Sequence, residues 1–394
     1  MNNPEPVSES QVKGNPMKKL LLLIVATAVS FLLLELVAGW IWKSKYNSWM
    51  EKELHGYEYV DRDNSVIKHV PGRKMYFKEY RNLLVELNKS LAVSELENQY
   101  PMFPDSFMIF QIDSLGFKSP EISLRKPDST FRILTIGNSC TWGPPVDSFS
   151  YPRTMERSLR ARVKSGKIEV VNAAVKGYNF DRVLKRLEEF MAVDPDLVTI
   201  YLGWNHTIGR ADPRKSEFLY NHLALYRIYY HFIVNRTDTG LDSDFAKKTF
   251  FNAQDRAMAA FQDYDFTYDL EDLEDIIDII RNKYHCPVAI ITLAGLLDYR
   301  VQPDSAALAM AYPIASTNNL YAYVLLTKKF NDSLRLIARK HNLLMFDLEA
   351  FSIPVMVPRS SYYIDSVHPS LKGYQVIGKY LADEISHAYP GTFQ

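Results

Sequence analysis

The chain has 394 residues, of which 47% are apolar and 23% are charged, and this composition is typical of a globular protein with a large core. Lysine and arginine together number 46, as do aspartate and glutamate, so the formal charge is zero at pH 7. Because proteins that bind nucleic acids usually carry an excess of basic residues, the balanced charge argues against nucleic acid as a partner.

The first predicted element is an apolar run near the N-terminus. Residues 1–19 are expected to form a disordered tail, and residues 20–42 (LLLLIVATAVSFLLLELVAGWIW) follow with Glu35 as their single charge. A helix rises about 1.5 Å per residue, so this run would be roughly 34 Å long, which matches the ~30 Å hydrocarbon core of a bilayer. Trp40 and Trp42 are typical of a membrane interface. The run is therefore predicted to be a transmembrane signal anchor.

Two other interpretations of this run stay open, namely a cleaved signal peptide and a buried helix of a globular domain. A signal peptide usually has an apolar part of only about 7–15 residues followed by a small-x-small cleavage site, and neither is evident here. Lysines lie on both sides of the run, so the positive-inside rule does not fix its orientation. A short N-terminal tail before a large C-terminal body favours a single-pass membrane protein whose C-terminal body is extracytoplasmic.

Residues 43–130 mix charged, aromatic and proline residues without a long periodic run. They are predicted to form a linker and an N-terminal elaboration that packs on the domain that follows. Turn-forming residues at 114–116, within IDSLGFKSPEI, indicate an extended cover or a hairpin.

From Phe131 onwards, short apolar runs alternate with amphipathic helices. Strands are predicted at 132–137, 168–175, 197–203, 288–294 and 343–348. Helices are predicted near 150–165, 180–192, 216–234, 268–284, 316–341 and 371–387. The strands are almost continuously apolar, as parallel strands covered on both faces are. Residues 131–390 are therefore predicted to form a doubly wound, flavodoxin-like α/β domain with a five-stranded parallel sheet.

A helical insertion is predicted at about residues 206–268 of this domain. The segment 218–234 (FLYNHLALYRIYYHFIV) is apolar on more than one side and is expected to be a sandwiched helix. In 269–280 (DLEDLEDIIDII) the apolar residues recur at helical spacing. The acidic residues of that helix are expected to form its solvated face.

Small or hydrogen-bonding residues follow the predicted strands. They lie at 137–139 after the first strand, at 176–179 after the second, at 203–206 after the third, and at 365–368 before the last helix. Ligands of doubly wound folds bind at the carboxyl ends of the strands. The sequence therefore predicts a site at this edge of the sheet.

The residue types at this edge fit acyl chemistry with a serine nucleophile. A serine hydroxyl needs a base within hydrogen-bonding reach, and His368 can serve as that base. Asp365, three residues earlier, can orient the imidazole and stabilise its protonated form. Oxyanion donors are expected from the backbone amides of Ser139 and Gly177 and from the carboxamide of Asn205. Neither a metal nor an organic cofactor is implied.

The ordered set resembles the SGNH hydrolases, also called the GDSL esterase/lipase family, over about residues 130–390. The family's G-D-S block is similar to Gly137–Ser139, and its invariant glycine corresponds to Gly177. Its G-x-N-D block is similar to Gly203–His206, and its D-x-x-H block to Asp365–His368. In two positions the chain departs from the pattern, because Asn138 and His206 stand where the family usually has aspartate.

This resemblance implies an enzyme that hydrolyses O-acyl esters through a Ser-His-Asp triad. Acetylated glycans, lipids or small esters are the implied substrates, and an exported location favours a glycan of the cell envelope. The same site could pass the acyl group to a sugar hydroxyl, which would make the protein an O-acyltransferase. A non-catalytic envelope protein that binds a glycan or a partner is the third alternative.

The chain contains two cysteines, Cys140 and Cys286, both in or beside apolar segments. No C-x-x-C spacing occurs, so neither a zinc site nor a redox pair is indicated. A disulfide between the two is not favoured. Cys140 follows Ser139 directly and could itself be the nucleophile, but the register of the motif favours Ser139, with Cys140 packed beneath the turn.

Overall fold

The computed structural model describes residues 16–86, 96–97, 100, 103–207, 215–234, 261–312 and 319–393. The chain divides into two compact units, one of residues 1–46 and 216–238 and the other of residues 47–215 and 239–394. Most of the tail predicted as disordered lies outside the described residues, as does much of the predicted insertion at 206–268.

The secondary structure alternates between strands and helices from residue 130 onwards. The strands are β1 (Glu58–Asp61), β2 (Val66–His69), β3 (Lys74–Tyr76), β4 (Met108–Gln111), β5 (Thr130–Gly137), β6 (Lys167–Asn172), β7 (Leu197–Tyr201), β8 (Val288–Ile291) and β9 (Leu344–Phe346). The helices are α1 (Pro16–Lys52), α2 (Phe77–Glu86), α3 (Ser139–Trp142), α4 (Tyr151–Arg160), α5 (Phe180–Leu184), α6 (Leu187–Met191), α7 (Trp204–Thr207), α8 (Glu217–His222), α9 (Ala224–Tyr229), α10 (Thr267–Lys283), α11 (Ser305–Met310), α12 (Leu320–Lys340), α13 (Leu348–Val355) and α14 (Leu371–Ala388).

The central sheet of the larger unit has five strands in the order β6-β5-β7-β8-β9, and every neighbouring pair is parallel. In chain order this is the 2-1-3-4-5 arrangement of flavodoxin-like folds, whose switch point lies beside the first strand. Ile133, Leu134 and Ile136 of β5 are fully buried, as expected for the central region of such a sheet. The predicted doubly wound α/β fold is confirmed.

Each predicted strand falls on an observed one, but most of the predicted C-terminal ends extend too far. After β6, for example, residues 173–175 are still buried and apolar, although they no longer belong to the strand. Burial continues there because the segment stays alongside β5, where the amides of Ala173 and Val175 donate to the carbonyls of Thr135 and Gly137 at 3.0 and 3.3 Å. Apolar character alone therefore does not mark where the strand ends.

The part of the larger unit that precedes β5 is built from two antiparallel hairpins, β1–β2 and β3–β4, together with α2. Its buried aromatic side chains form one cluster with Trp142, Val146 and Ala174 of the sheet domain. Tyr57, for instance, stacks on Trp142 with ring centroids 5.8 Å apart. This segment thus packs directly behind α3.

In the smaller unit, α1 contains the predicted apolar run. The helix is long and apolar enough to cross a membrane, and none of its most apolar window is buried within the chain. The interpretation as a buried helix of a globular domain is therefore wrong. The segment predicted as one helix at 216–234 instead forms α8, α9 and a π-helical turn at Tyr230–Val234, because the backbone of Leu223 is extended between α8 and α9.

Candidate active site

Ser139 lies at the first position of α3, directly after β5. A Cβ atom on Gly137 would lie 1.9 Å from Thr141 Oγ1, so the backbone can turn this tightly only with glycine at that position. The side chain of Asn138 caps the helix by accepting a hydrogen bond from the Cys140 amide at 3.1 Å. Asparagine and aspartate are equally good N-caps, so this departure from the family pattern leaves the turn intact.

The hydroxyl of Ser139 meets the imidazole of His368, which lies just before α14. Ser139 Oγ is 2.8 Å from His368 Nε2, and His368 Nδ1 is 2.7 Å from Asp365 Oδ2. The other carboxylate oxygen of Asp365 accepts hydrogen bonds from the amides of Val367 at 2.9 Å and His368 at 2.8 Å. Three side chains from two distant parts of the sequence thus form one hydrogen-bonded chain.

Two opposing effects act on the Asp365 carboxyl. Burial would raise its pKa, but hydrogen bonds from His368 and from the backbone amides outweigh burial and lower the pKa below its ordinary value. Asp365 is therefore a carboxylate at neutral pH. A carboxylate there accepts a hydrogen bond from the Nδ1–H group of His368, so Nε2 is left as the unprotonated nitrogen that faces Ser139.

Two of the three expected oxyanion residues, Gly177 and Asn205, lie beyond the strands that flank β5. Gly177 ends the turn after β6 and has a positive φ of 73°, and Asn205 is the second residue of α7, after β7. Asn205 Nδ2 donates one hydrogen bond to the carbonyl of Tyr178 at 2.7 Å. A carboxamide nitrogen carries two protons, so the second is available to a ligand.

His206, which stands where the family has aspartate, is buried in the loop layer beside Asn205. Its Nε2 accepts a hydrogen bond from the Phe180 amide at 3.3 Å, and its Nδ1 lies 3.0 Å from Asp269 Oδ1. The ring stacks on Phe180 at 4.8 Å and lies 6.0 Å from Phe330. In this chain, His206 therefore forms a structural contact between the loops after β6 and β7.

Asp269 corrects the expectation that the acidic residues at 269–280 all face solvent. It lies in the first turn of α10 and is only 7% exposed. The helical period does place the other acids on an outer face, but the first turn of α10 faces His206. Sequence periodicity could not identify this pair, because its two members are 63 residues apart.

Cys140 is fully buried, and burial raises the pKa of its thiol well above the ordinary value. Its Sγ donates to the carbonyl of Val367 at 3.5 Å. The prediction that Cys140 packs beneath the turn is confirmed. Both cysteines are free, so the structure contains no disulfide between them.

A second group missed by the sequence analysis lies behind α3. Lys118 is fully buried. Its Nζ donates hydrogen bonds to the carbonyls of Trp142 at 2.8 Å and Pro144 at 3.1 Å. The same atom lies 3.5 Å from the centroid of the Trp142 ring. Lys176 Nζ lies 4.1 Å from the same ring. Burial lowers the pKa of Lys118 to about 7, although Asp147 acts in the opposite direction.

Among the residues that the structure describes, no group of three or more His, Cys, Asp or Glu side chains is arranged to hold a metal ion.

Comparison with known proteins identifies the class of protein that carries this site. The GDSL-like lipase/acylhydrolase family matches residues 135–376, which is more than half of the chain. The chain belongs to this family, and it is an ester hydrolase of the SGNH type. No curated protein sequence matches it.

Three solved structures illustrate how far the likeness extends. A putative lipolytic protein of the G-D-S-L family from Desulfitobacterium hafniense is 15% identical, with 64% of this chain and 98% of that chain covered and a TM-score of 0.37. The acetylxylan esterase Axe2 from Geobacillus stearothermophilus is also 15% identical, with coverages of 65% and 94% and a TM-score of 0.40. The lipase/acylhydrolase from Enterococcus faecalis is 18% identical, with coverages of 67% and 97% and a TM-score of 0.37.

Proposed function

We propose that the chain hydrolyses O-acyl esters with Ser139 as the nucleophile, His368 as the general base and acid, and Asp365 as the residue that orients the imidazole. The observation that carries this proposal is the 2.8 Å contact between Ser139 Oγ and His368 Nε2, in a chain that continues to Asp365 at 2.7 Å. Nucleophile, base and orienting group need this order and this reach.

In the first half of the reaction, Ser139 Oγ attacks the ester carbonyl carbon while His368 Nε2 takes the hydroxyl proton. The tetrahedral intermediate then breaks its bond to the alcohol oxygen, which leaves with the proton from His368. The result is an acyl ester on Ser139. In the second half, water loses a proton to His368 and attacks that ester, and the carboxylic acid and the serine hydroxyl are regenerated.

The negative oxygen of each tetrahedral intermediate is stabilised by the amides of Ser139 and Gly177 and by Asn205 Nδ2. The Asn205 carboxamide is held by its hydrogen bond to the Tyr178 carbonyl before substrate arrives. The carboxamide therefore does not need to reorient during the reaction. One preset donor of this kind typically contributes about 3–4 kcal/mol to transition-state stabilisation.

The chain is proposed to be held at a membrane by residues 20–42, with the catalytic domain extracytoplasmic. The length and exposed apolar surface of α1 support this. The packing of residues 216–232 on its C-terminal part supports retention of the helix rather than cleavage, because Ala38 and Ala224 are buried where α1 meets that segment. O-acylated glycans of the cell envelope are the proposed substrates, since an anchored enzyme would meet them there.

The test is turnover of the full-length protein in detergent with p-nitrophenyl acetate, longer acyl esters and acetylated glycans. Hydrolysis that is lost in His368→Ala, with the melting temperature unchanged, supports the proposal. A folded protein that hydrolyses none of these esters would contradict it and favour a binding role. Transfer of the acyl group to an added sugar in preference to water would assign the same site to an O-acyltransferase.

A further inference from the structure

Glu35 is the single charge in the apolar run, and its position is unusual for a membrane-spanning helix. It lies two turns before Lys43, so along the helix axis it is about 12 Å inside the end of the span. An ionisable side chain at that depth is costly unless a partner satisfies it. In the structure its carboxylate accepts hydrogen bonds from the backbone amides of Ala224 and Leu225, the latter at 3.2 Å.

The partner of Glu35 is the start of α9, whose first amides lack acceptors within the helix. Leu223 precedes α9 with extended backbone (φ −121°, ψ 116°) and provides no side-chain cap. Backbone amides at a break between helices are tolerated at membrane depth only where they are satisfied by protein. The carboxylate and the amides thus satisfy each other, which explains both the charge in the run and the break.

Small residues bring the two segments close together at this level. Ala38 is 3% exposed and Ala224 is 1% exposed. A Cβ atom on Gly39 would lie 3.9 Å from Ala224 Cβ, in ordinary van der Waals contact, so the two segments approach closely here. Close approach over small residues is typical of helices that pack within a bilayer.

Nearer the end of the span the contacts become aromatic and cationic. Trp42 lies 4.9 Å from His231 and 6.4 Å from Tyr220, measured between ring centroids. Lys45 Nζ lies 4.2 Å from the Phe232 ring, and the Arg227 guanidinium lies 5.9 Å from the Trp42 ring. Tryptophan, tyrosine and long basic side chains are the residues that occupy the membrane–water interface.

We infer that residues 216–232 form a re-entrant element that inserts into the bilayer leaflet that holds the C-terminal part of α1. The occupant of its outer surface is lipid: Phe218 is 53% exposed and Tyr229 is 48% exposed. The element that carries them reaches the depth of Glu35 at Ala224 and Leu225. This inference rests on the proposed membrane anchor. The re-entrant element would be a second contact with the bilayer. Composition does not reveal this contact, because the segment is too short to be recognised as a membrane-spanning helix.

The test uses the full-length protein in phosphatidylcholine liposomes with single cysteines that carry an environment-sensitive fluorophore. Phe218→Cys and Tyr229→Cys report on the element, Val29→Cys reports on the anchor, and Leu336→Cys, on the exposed face of α12, is the matched control in the larger unit. Quenching by doxyl-labelled lipid is compared with quenching by aqueous iodide. Unmutated protein corrects for labelling at the two buried native cysteines.

We expect doxyl lipid to quench the probes at 218, 229 and 29, and iodide to quench them several-fold less than the probe at 336. Iodide quenching at 218 and 229 as strong as at 336, with residue 29 still protected, would overturn the re-entrant element and leave the anchor standing. Iodide quenching at 29 as well would overturn both. In Glu35→Leu, iodide quenching at 218 should rise several-fold while that at 29 is unchanged; no rise would contradict the role assigned to Glu35.

Discussion

His206 Nε2 accepts a hydrogen bond from the backbone amide of Phe180 at 3.3 Å, and this contact ties the loop after β7 to the loop after β6. These two loops carry two of the three proposed oxyanion residues, Asn205 and Gly177. Because Asp269 holds the proton of His206 on Nδ1, Nε2 is left as an acceptor. The buried pair therefore holds the relative position of the two loops.

His206→Phe keeps a ring between Phe180 and Phe330 but removes the acceptor and leaves Asp269 without its histidine. We expect the free energy of unfolding to fall by about 1–3 kcal/mol, since a buried amide and a buried carboxyl lose a partner. Asp269→Leu should also destabilise, but the double variant should cost less than the sum of the two by about 1 kcal/mol or more. Urea denaturation of the three variants measures this coupling, and strict additivity would show that the pair is not a unit.

Asn205→Ala removes one proposed oxyanion donor. We expect kcat to fall by about 10²–10³-fold with little change in KM, because the donor acts on charge that develops only in the transition state. Steady-state kinetics on p-nitrophenyl acetate measures both constants, and the melting temperature checks the loss of the hydrogen bond to Tyr178. A rise in KM with kcat unchanged would instead assign Asn205 to substrate binding.

Cys140→Ala should retain most of the activity of the native protein. Burial raises the pKa of this thiol, so at pH 8 it is present as the neutral form, which is a poor nucleophile. For the same reason, maleimide treatment at pH 8 should leave turnover intact. Both expectations are checked by measuring ester hydrolysis by the variant and by native protein after maleimide treatment. Inactivation in both experiments would indicate that Cys140 is the nucleophile.

Lys118 should make stability depend on pH. Its pKa is about 7 in the folded chain and near 10.4 when unfolded, so between these values the unfolded state binds the additional proton. The free energy of unfolding should therefore rise as pH increases from about 7 to 10, through this group. Lys118→Met removes the titratable ammonium group and should make the free energy of unfolding depend less on pH. Urea unfolding at several pH values compares the two proteins, and parallel curves would contradict the buried-lysine interpretation.

Much of the sheet and the order of the site residues could be predicted from the sequence, because both depend on local patterns. Continuous β-branched runs identify β5 and β7, and small polar residues after them identify the edge of the sheet where the site lies. The two parts of the candidate site around residues 139 and 365–368 follow from such local motifs. Their assignment to catalysis stays a prediction until activity is measured.

Features that depend on long-range contacts could not be predicted. The strands β1 to β4 have three or four residues each, which is too few for a periodic signal. The aromatic side chains of this segment cluster with Trp142, which is a contact between distant parts of the sequence. One helix was expected at 180–192, but two are found. Arg186 separates them, because its backbone (φ −117°, ψ 5°) is not helical. Its side chain turns inward to Tyr178 Oη at 3.2 Å and to the Phe190 ring. Hydrophobic periodicity does not predict which charged side chains turn inward.

The central claim, that Ser139 receives the acyl group, is tested most directly by reaction of the full-length protein with a fluorophosphonate, followed by intact-mass and peptide mass spectrometry. We expect one adduct per chain, located on Ser139, absent from Ser139→Ala and present in Cys140→Ala. An adduct on another residue, or ester turnover by Ser139→Ala at the native rate, would contradict the claim.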